Sequence, residues 1–200
     1  MSKTDIHPIT DRSIPKSQKE MLFGQKGVVF WLCGLSGSGK STLAIQMEKL
    51  LHDKGKHCIL LDGDNLRSGL NSDLGFTDSD RIENIRRVSE VAKLLSENGM
   101  VVLVSLITPF RKSRLAAKSI IGESNFHEIF VKASFSACKE RDVKGLYAKA
   151  EEGKVQAFTG KTSAFEEPDN PSLTINTEQQ SEEESVQSLF AYILKSISID

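Results

Sequence analysis

Apolar positions along this chain fall into short continuous runs that alternate with helical stripes. The run Val28-Val29-Phe30-Trp31-Leu32-Cys33 is apolar and β-rich and reads as a buried strand. Downstream, the apolar residues of Thr42–Leu51 recur at helical spacing, which predicts a helix over about 40–54 ended by Gly55. His57–Leu61 gives a second short strand, closed by Asp62-Gly63-Asp64-Asn65. Ser79 to Asn98 is helical, with Ile82, Ile85, Val88, Val91, Ala92 and Leu95 as its apolar stripe. Met100–Ser105 is a near-continuous apolar strand, as expected where helices cover both faces of a parallel sheet. A helix after Pro109, a strand over Phe126–Val131, a helix from Phe135 to about Arg141 and a short strand at about Leu173–Asn176 follow. The last helix opens on the capping box Ser181-Glu182-Glu183-Glu184 and buries Val186, Leu189, Phe190, Ile193 and Leu194. Five strands alternating with helices predict an α/β, doubly wound parallel sheet with helices on both faces.

Two stretches depart from that rhythm. Residues 1–25 are polar, contain Pro8 and Pro15, and read as an N-terminal arm with one or two turns; residues 26–200 read as one domain. Residues 142–168 hold Gly145, Gly153, Gly160 and Pro168, many Lys and Glu, and few core-type residues, a composition that suits a mobile lid.

Between the first strand and the first helix lies Gly34-Leu35-Ser36-Gly37-Ser38-Gly39-Lys40-Ser41, which meets the phosphate-loop pattern G-x-x-x-x-G-K-[ST] at every defined position. Strand, glycine loop and helix together are the context the motif needs. The glycines let backbone N–H groups surround a phosphate at a helix N-terminus. Lys40 would reach the β- and γ-phosphates, and the Ser41 hydroxyl would ligate Mg²⁺. The chain is therefore expected to bind a nucleoside triphosphate in a P-loop NTPase-type fold. It has no N-K-x-D guanine reader, and its third strand ends in Ser105 rather than an acidic residue. The carboxylates follow the second strand instead, at Asp62 and Asp64. Asp64 would share a sheet rim with Lys40 and reach a Mg²⁺ water or an acceptor hydroxyl. An Asp-Gly-Asp-Asn turn capping a helix is the other reading of those residues.

Composition narrows the picture further. Twenty-six Lys and Arg nearly balance 27 Asp and Glu, so nothing points to nucleic acid, and any cationic site must be local. At 38% hydrophobic residues the chain can build a substantial core, yet no run approaches the roughly 18 apolar residues of a membrane span. Cys33, Cys58 and Cys138 are widely spaced, without a C-x-x-C, and read as small core residues in a reducing compartment. With no apolar leader in the first 26 residues, the expected location is cytoplasmic. The polar residues Arg67, Arg81 and Asn84 beside the aromatic Phe76 could hold an anionic, ring-bearing acceptor, since Arg offers a bidentate fork to sulfate or phosphate oxygens.

Taken together, these blocks resemble the adenylylsulfate kinase (APS kinase) family. The likeness runs from about His7 to the C-terminus. It is carried by Gly34–Thr42, Leu61-Asp62-Gly63-Asp64-Asn65-Leu66-Arg67, Asp73-Leu74-Gly75-Phe76, Asp80-Arg81-Ile82-Glu83-Asn84-Ile85-Arg86-Arg87, Lys144-Gly145-Leu146-Tyr147 and Phe158-Thr159-Gly160. The resemblance implies transfer of the ATP γ-phosphoryl group to the 3′-hydroxyl of adenosine 5′-phosphosulfate, giving 3′-phosphoadenylyl sulfate in sulfate assimilation, with Mg²⁺ and a homodimer. It further implies that Gly34, Leu35, Ser36, Gly37, Ser38, Gly39, Lys40, Ser41, Thr42 and Arg141 bind ATP, and that Lys40, Asp64 and the lid residue Lys144 are catalytic. Ser41 and Asp64 would serve the metal. Arg67, Arg81 and Asn84 would hold the phosphosulfate, with Asp64, Lys144 and Ile107 beside the acceptor. Phe76 and Phe158 would sandwich its adenine.

Two departures from the family pattern stand out. Ile107-Thr108-Pro109-Phe110 carries Thr108 where some members have a serine labelled as a phosphorylated intermediate, and direct transfer to a bound hydroxyl needs no such group. Phe165 stands where the family usually has a tyrosine. The competing readings are another small-molecule kinase of this fold and a non-catalytic nucleotide-binding regulator.

Overall fold

The computed structural model describes residues 7, 9–142, 145–151, 159 and 164–199. Its centre is one five-stranded sheet with the order β2-β3-β1-β4-β5. The strands are β1 (Val29–Cys33), β2 (Cys58–Asp62), β3 (Val101–Ser105), β4 (Phe126–Lys132) and β5 (Leu173–Asn176). Every pairing is parallel, with Val29 opposite both Val102 and Phe126. The helices are α1 (Lys16–Phe23), α2 (Lys40–Asp53), α3 (Gly63–Arg67), α4 (Asp78–Glu97), α5 (Arg111–Ile121), α6 (Phe135–Arg141), α7 (Leu146–Glu151) and α8 (Glu182–Ile197).

The sheet is covered on both sides, which is why its central strands read as unbroken apolar runs. Phe30, Leu32, Leu103, Ile129 and Ile175 pack with Met47 and Leu51 of α2 and Leu189 and Ile193 of α8. Their neighbours in sequence, Val29, Trp31, Val102 and Val104, pack with Ile85, Val88 and Ala92 of α4 and Ala117 and Ile121 of α5. The α4 stripe expected from sequence needs one correction: Ile82 is 55% exposed. The buried face of α4 begins instead with Asn84 and Ile85, about one turn further along.

Before β1, α1 ends on Gly24 in the left-handed conformation and is tied to the body. Lys16 Nζ donates to the Gly27 carbonyl (2.6 Å) and to Asn125 Oδ1 (2.8 Å). Fully buried Gln25 bonds both the carbonyl and the amide of His57, and also the Gly99 carbonyl, so one amide side chain joins the entries to β2 and β3. The capping box at Ser181 and Glu184 is present in full at the start of α8.

The three cysteines are free. Burial pushes the Cys33 and Cys58 thiols up to about 12, the behaviour of inert core sulfur rather than of a nucleophile. Among the described residues, no helix is long and apolar enough to cross a membrane.

On the α8 face, His127 stacks on Phe30 (5.0 Å between ring centroids), and its Nδ1 lies 2.8 Å from the Tyr192 hydroxyl. Burial lowers the His127 pKa below its ordinary value. The neutral ring is therefore the one the fold favours. Its contribution is fully present above the unfolded value of about 6.5, and declines as pH falls from there toward the lowered folded value. Thermal unfolding of the wild type between about pH 8 and pH 5.5 is expected to show a falling midpoint, and His127→Asn a flatter dependence over that window.

Candidate active site

The strand order reverses around β1, and in open parallel sheets ligands bind where this happens, beyond the strands' carboxyl ends. The phosphate loop begins at that end of β1. Its backbone is open only to glycine at critical points. Gly37 has φ +79°, and a Cβ there would lie 2.9 Å from the Cys138 carbonyl. At Gly34 (φ +150°) a Cβ would collide with the Val131 carbonyl. Gly39 is the N-cap of α2 and brings no side chain to the first helical turn, which leaves that helix end suited to an anion.

Lys40 is 8% exposed, and its ammonium lies back along the loop, donating to the Gly34 carbonyl (2.9 Å) and the Leu35 carbonyl (2.6 Å). Next to it, the Ser41 hydroxyl donates to Asp62 Oδ2 at 2.8 Å and lies 3.2 Å from Ser105 Oγ. The residue at the serine is thus Asp62, whereas the sequence reading singled out Asp64. Asp62 also caps α3, its Oδ1 accepting from the Asp64 amide at 3.0 Å. The capping turn expected of Asp-Gly-Asp-Asn is present, with Asp62 as the cap. Asp64 itself lies exposed in the first turn of α3.

Helix α3 carries the rim onward to Arg67. The Arg67 guanidinium lies 4.5 Å from the centroid of the Phe76 ring and donates to the Gly75 carbonyl at 2.8 Å. Partial burial, and then the neighbouring charge of Arg81, lower the Arg67 pKa, so two cations are held close together here. Arg81 Nε donates to the Phe76 carbonyl (3.0 Å) and Nη1 to Thr159 Oγ1 (3.1 Å). Phe76 is 63% exposed, so its ring has room to stack on a planar ligand. One helical turn after Arg81, buried Asn84 accepts from Asn71 Nδ2 at 3.0 Å. Asn71 lies between the Arg67 and Asp73 blocks and has no role in the sequence reading; it holds the Asn84 amide, and its own Oδ1 has no partner among the described residues.

Arg141 flanks the loop on its other side, donating to Thr177 Oγ1 (3.0 Å), the Thr177 carbonyl (2.7 Å) and the Gly37 carbonyl (3.3 Å). The Tyr147 hydroxyl donates to the Ser36 carbonyl at 2.8 Å and fastens α7 to the loop. Ile107 touches the loop through its carbonyl, which accepts from the Gly34 amide at 3.3 Å. Thr108 follows with φ +42°, a backbone region that costs a β-branched residue about 1–2 kcal/mol. Its hydroxyl is 3% exposed with its residue and accepts from Trp31 Nε1 at 2.9 Å. Phe165 stacks on Phe130 (5.9 Å), a contact made by the ring alone, without the phenolic oxygen of the family pattern. Lys144 and Phe158 lie outside the described residues.

The arrangement joins two chemistries along one rim: a phosphate cradle with a cation and hard oxygen donors, and an aromatic–arginine pocket suited to an anion with a ring. Several known proteins similar to this chain share one family. The family model described as adenylylsulphate kinase matches residues 26–176. An adenylyl-sulfate kinase from Bacteroides thetaiotaomicron is 48% identical over 195 residues, covering 98% of this chain and 97% of its own. One from Phocaeicola vulgatus is 48% identical over 194 residues, covering 97% and 95%. Among solved structures, the Mycobacterium tuberculosis APS kinase in complex with AMPPNP and APS superposes with a TM-score of 0.80 at 42% identity, covering 84% of this chain and 98% of that one.

Proposed function

The chain belongs to the adenylylsulphate kinase family, and on that premise we propose how its residues carry the kinase reaction: transfer of the ATP γ-phosphoryl group to the 3′-hydroxyl of adenylyl sulfate. The observation that supports this most is the continuity of the rim. Ser41 bonds Asp62, Asp62 caps α3, and α3 delivers Arg67 to Phe76 and Arg81. A triphosphate on the loop and an adenylyl sulfate on the arginines would then face one another across Asp64.

In this reading the loop amides and Lys40 hold the β- and γ-phosphates, with Arg141 beside the nucleotide. Phe76 stacks the acceptor adenine, while Arg67, Arg81 and the Asn84 amide hold its phosphosulfate and Ile107 borders it. The Asp64 carboxylate accepts the proton of the 3′-hydroxyl as that oxygen attacks. Phosphoryl transfer asks for in-line positioning and neutralised charge more than for covalent chemistry, so no phosphorylated Thr108 is required. The buried, Trp31-bonded hydroxyl of Thr108 supports that direct route. Lys144 and Phe158 enter on the family resemblance as a lid cation and the second aromatic wall. Exposed apolar residues on α1 and α4, Met21, Leu22, Ile82 and Leu94, leave surface for the homodimer that the resemblance implies.

The donors at the loop fit Mg²⁺. Ser41 Oγ and the Asp62 carboxylate are hard oxygens, and no group of three or more His, Cys, Asp or Glu among the described residues could hold a metal. Hard oxygens are the donors Mg²⁺ takes alongside phosphate and water. When bound, Mg²⁺ supplies charge neutralisation of the β- and γ-oxygens. Ser41 and Asp62 would hold it directly or through water, leaving Asp64 for the acceptor.

Separate titration of the two substrates tests the pocket assignment. Arg67→Ala and Arg81→Ala are each expected to raise KM for adenylyl sulfate by about ten- to a hundredfold, the worth of one charge-assisted hydrogen-bond set. KM for ATP should move less than about twofold. Equal losses for both substrates would remove the arginines from the acceptor site.

A further inference from the structure

We propose that Arg114, which lies outside the rim just described, is a positioning residue for the acceptor half of the site. The inference rests on the kinase reading above and deepens it. Arg114 sits in α5 and is 3% exposed. Its guanidinium is fully engaged in three directions. Nε pairs with Glu128 of β4 at 2.6 Å. Nη1 donates to the Thr108 carbonyl at 2.7 Å, and Nη2 to the Glu166 carbonyl at 2.7 Å. The Phe165 ring lies 5.8 Å from its Cζ.

Those partners lie on three separate pieces of chain, and Arg114 bonds all three. Thr108 belongs to the loop after β3, where Ile107 meets the phosphate loop. Glu166 belongs to the segment returning from the region between α7 and β5. The two are also zipped together directly: the Glu166 amide donates to the Pro109 carbonyl at 2.9 Å, and the Arg111 amide to Glu166 Oε2 at 2.7 Å. A threonine held at φ +42° stays there only if its surroundings over-determine it. Here the bonds are Trp31 on the hydroxyl and Arg114 on the carbonyl. A planar fork with several donors can serve Glu128, Thr108 and Glu166 at once, and a lysine ammonium on a flexible stem cannot reproduce that geometry. Arg114 therefore holds the Thr108 turn, and with it the Ile107 side chain that the kinase reading sets beside the acceptor, while ATP is held by the loop and α2, to which Arg114 makes no direct bond among the described residues.

Two variants and one wild-type measurement test this. Arg114→Lys keeps the charge beside Glu128 and loses the fork. It is expected to raise KM for adenylyl sulfate on the order of tenfold, with the dissociation constant of a non-hydrolysable ATP analogue changed less than about twofold. Glu128→Gln keeps the shape and an acceptor for Nε. It is expected to lower the thermal midpoint while KM for adenylyl sulfate stays within about threefold of wild type. A merely structural Arg114 would instead weaken both substrates together, or track the thermal midpoint in both variants; either result overturns the proposal. Should Arg114→Lys fail to fold, the wild type still decides. Trp31 is the chain's one tryptophan, and with the ATP analogue bound its emission should respond to added adenylyl sulfate. An emission that ignores a saturating acceptor would show that the Thr108 loop does not report on that site and would overturn the proposal. Turnover of adenylyl sulfate by the wild type is measured alongside; its absence would refute the kinase reading itself, whatever the variants do.

Discussion

Replacing Lys40 by methionine is expected to lower kcat by about a thousandfold while the protein remains folded. The stem of Lys40 is packed at the start of α2, and only its ammonium reaches the Gly34 and Leu35 carbonyls. Methionine preserves that packing and removes the charge, so circular dichroism and the thermal midpoint should change little. The chemistry should change greatly. A primary ammonium fixed within the loop is the group placed to follow charge onto the transferring oxygens, and its benefit is largest in the transition state. The loss should therefore fall on kcat, with a smaller effect on ATP affinity, because the loop amides and the α2 N-terminus still hold the phosphates. A variant with normal kcat would show that the ammonium stays on the loop carbonyls throughout turnover.

The second large effect separates the two rim aspartates. Asp64→Asn is expected to lower kcat by about 10²- to 10⁴-fold, the usual range for loss of a general base, with nucleotide affinity nearly unchanged. Asp62→Asn should behave differently. Asp62 touches Ser41 and caps α3, so the expected result is weakened Mg²⁺-dependent nucleotide binding together with a loss of stability of about 0.5–2 kcal/mol from the impaired cap. Calorimetric titration of the ATP analogue with and without Mg²⁺, beside turnover, distinguishes the two. If Asp64→Asn lost nucleotide binding and Asp62→Asn kept it, the roles would be reversed.

Much of this molecule could be read along the chain because its strongest signals are local. The β1 run, the glycine loop and α2 are contiguous, and the strands β1, β2 and β3 are short apolar runs bounded by turn residues. What escaped was either too short or too distant. Helix α3 spans five residues, fewer than two turns, so no apolar period could reveal it. Ile82 keeps the helical spacing of the α4 stripe yet points outward, because spacing does not say where a neighbouring element stops. Asp62 could have been found: it is the last residue of β2, the position from which a strand-end carboxylate reaches the loop serine. The Asn71–Asn84 pair and the Arg114 network depend on contacts across 6 to 52 residues, and nothing in their local sequence marks them. Thr108 was noted for its chemistry, but its structural distinction is a backbone angle that no residue type announces.

The most direct test is one assay: wild-type protein, ATP, Mg²⁺ and adenylyl sulfate, with ADP release followed and the product identified by mass and by the position of the new phosphate. The expected result is stoichiometric conversion of adenylyl sulfate into a species one phosphoryl group heavier, modified at the 3′-hydroxyl, faster than any nucleoside or sugar offered in its place. ADP formed while adenylyl sulfate is left untouched, or preferential phosphorylation of another acceptor, would contradict it.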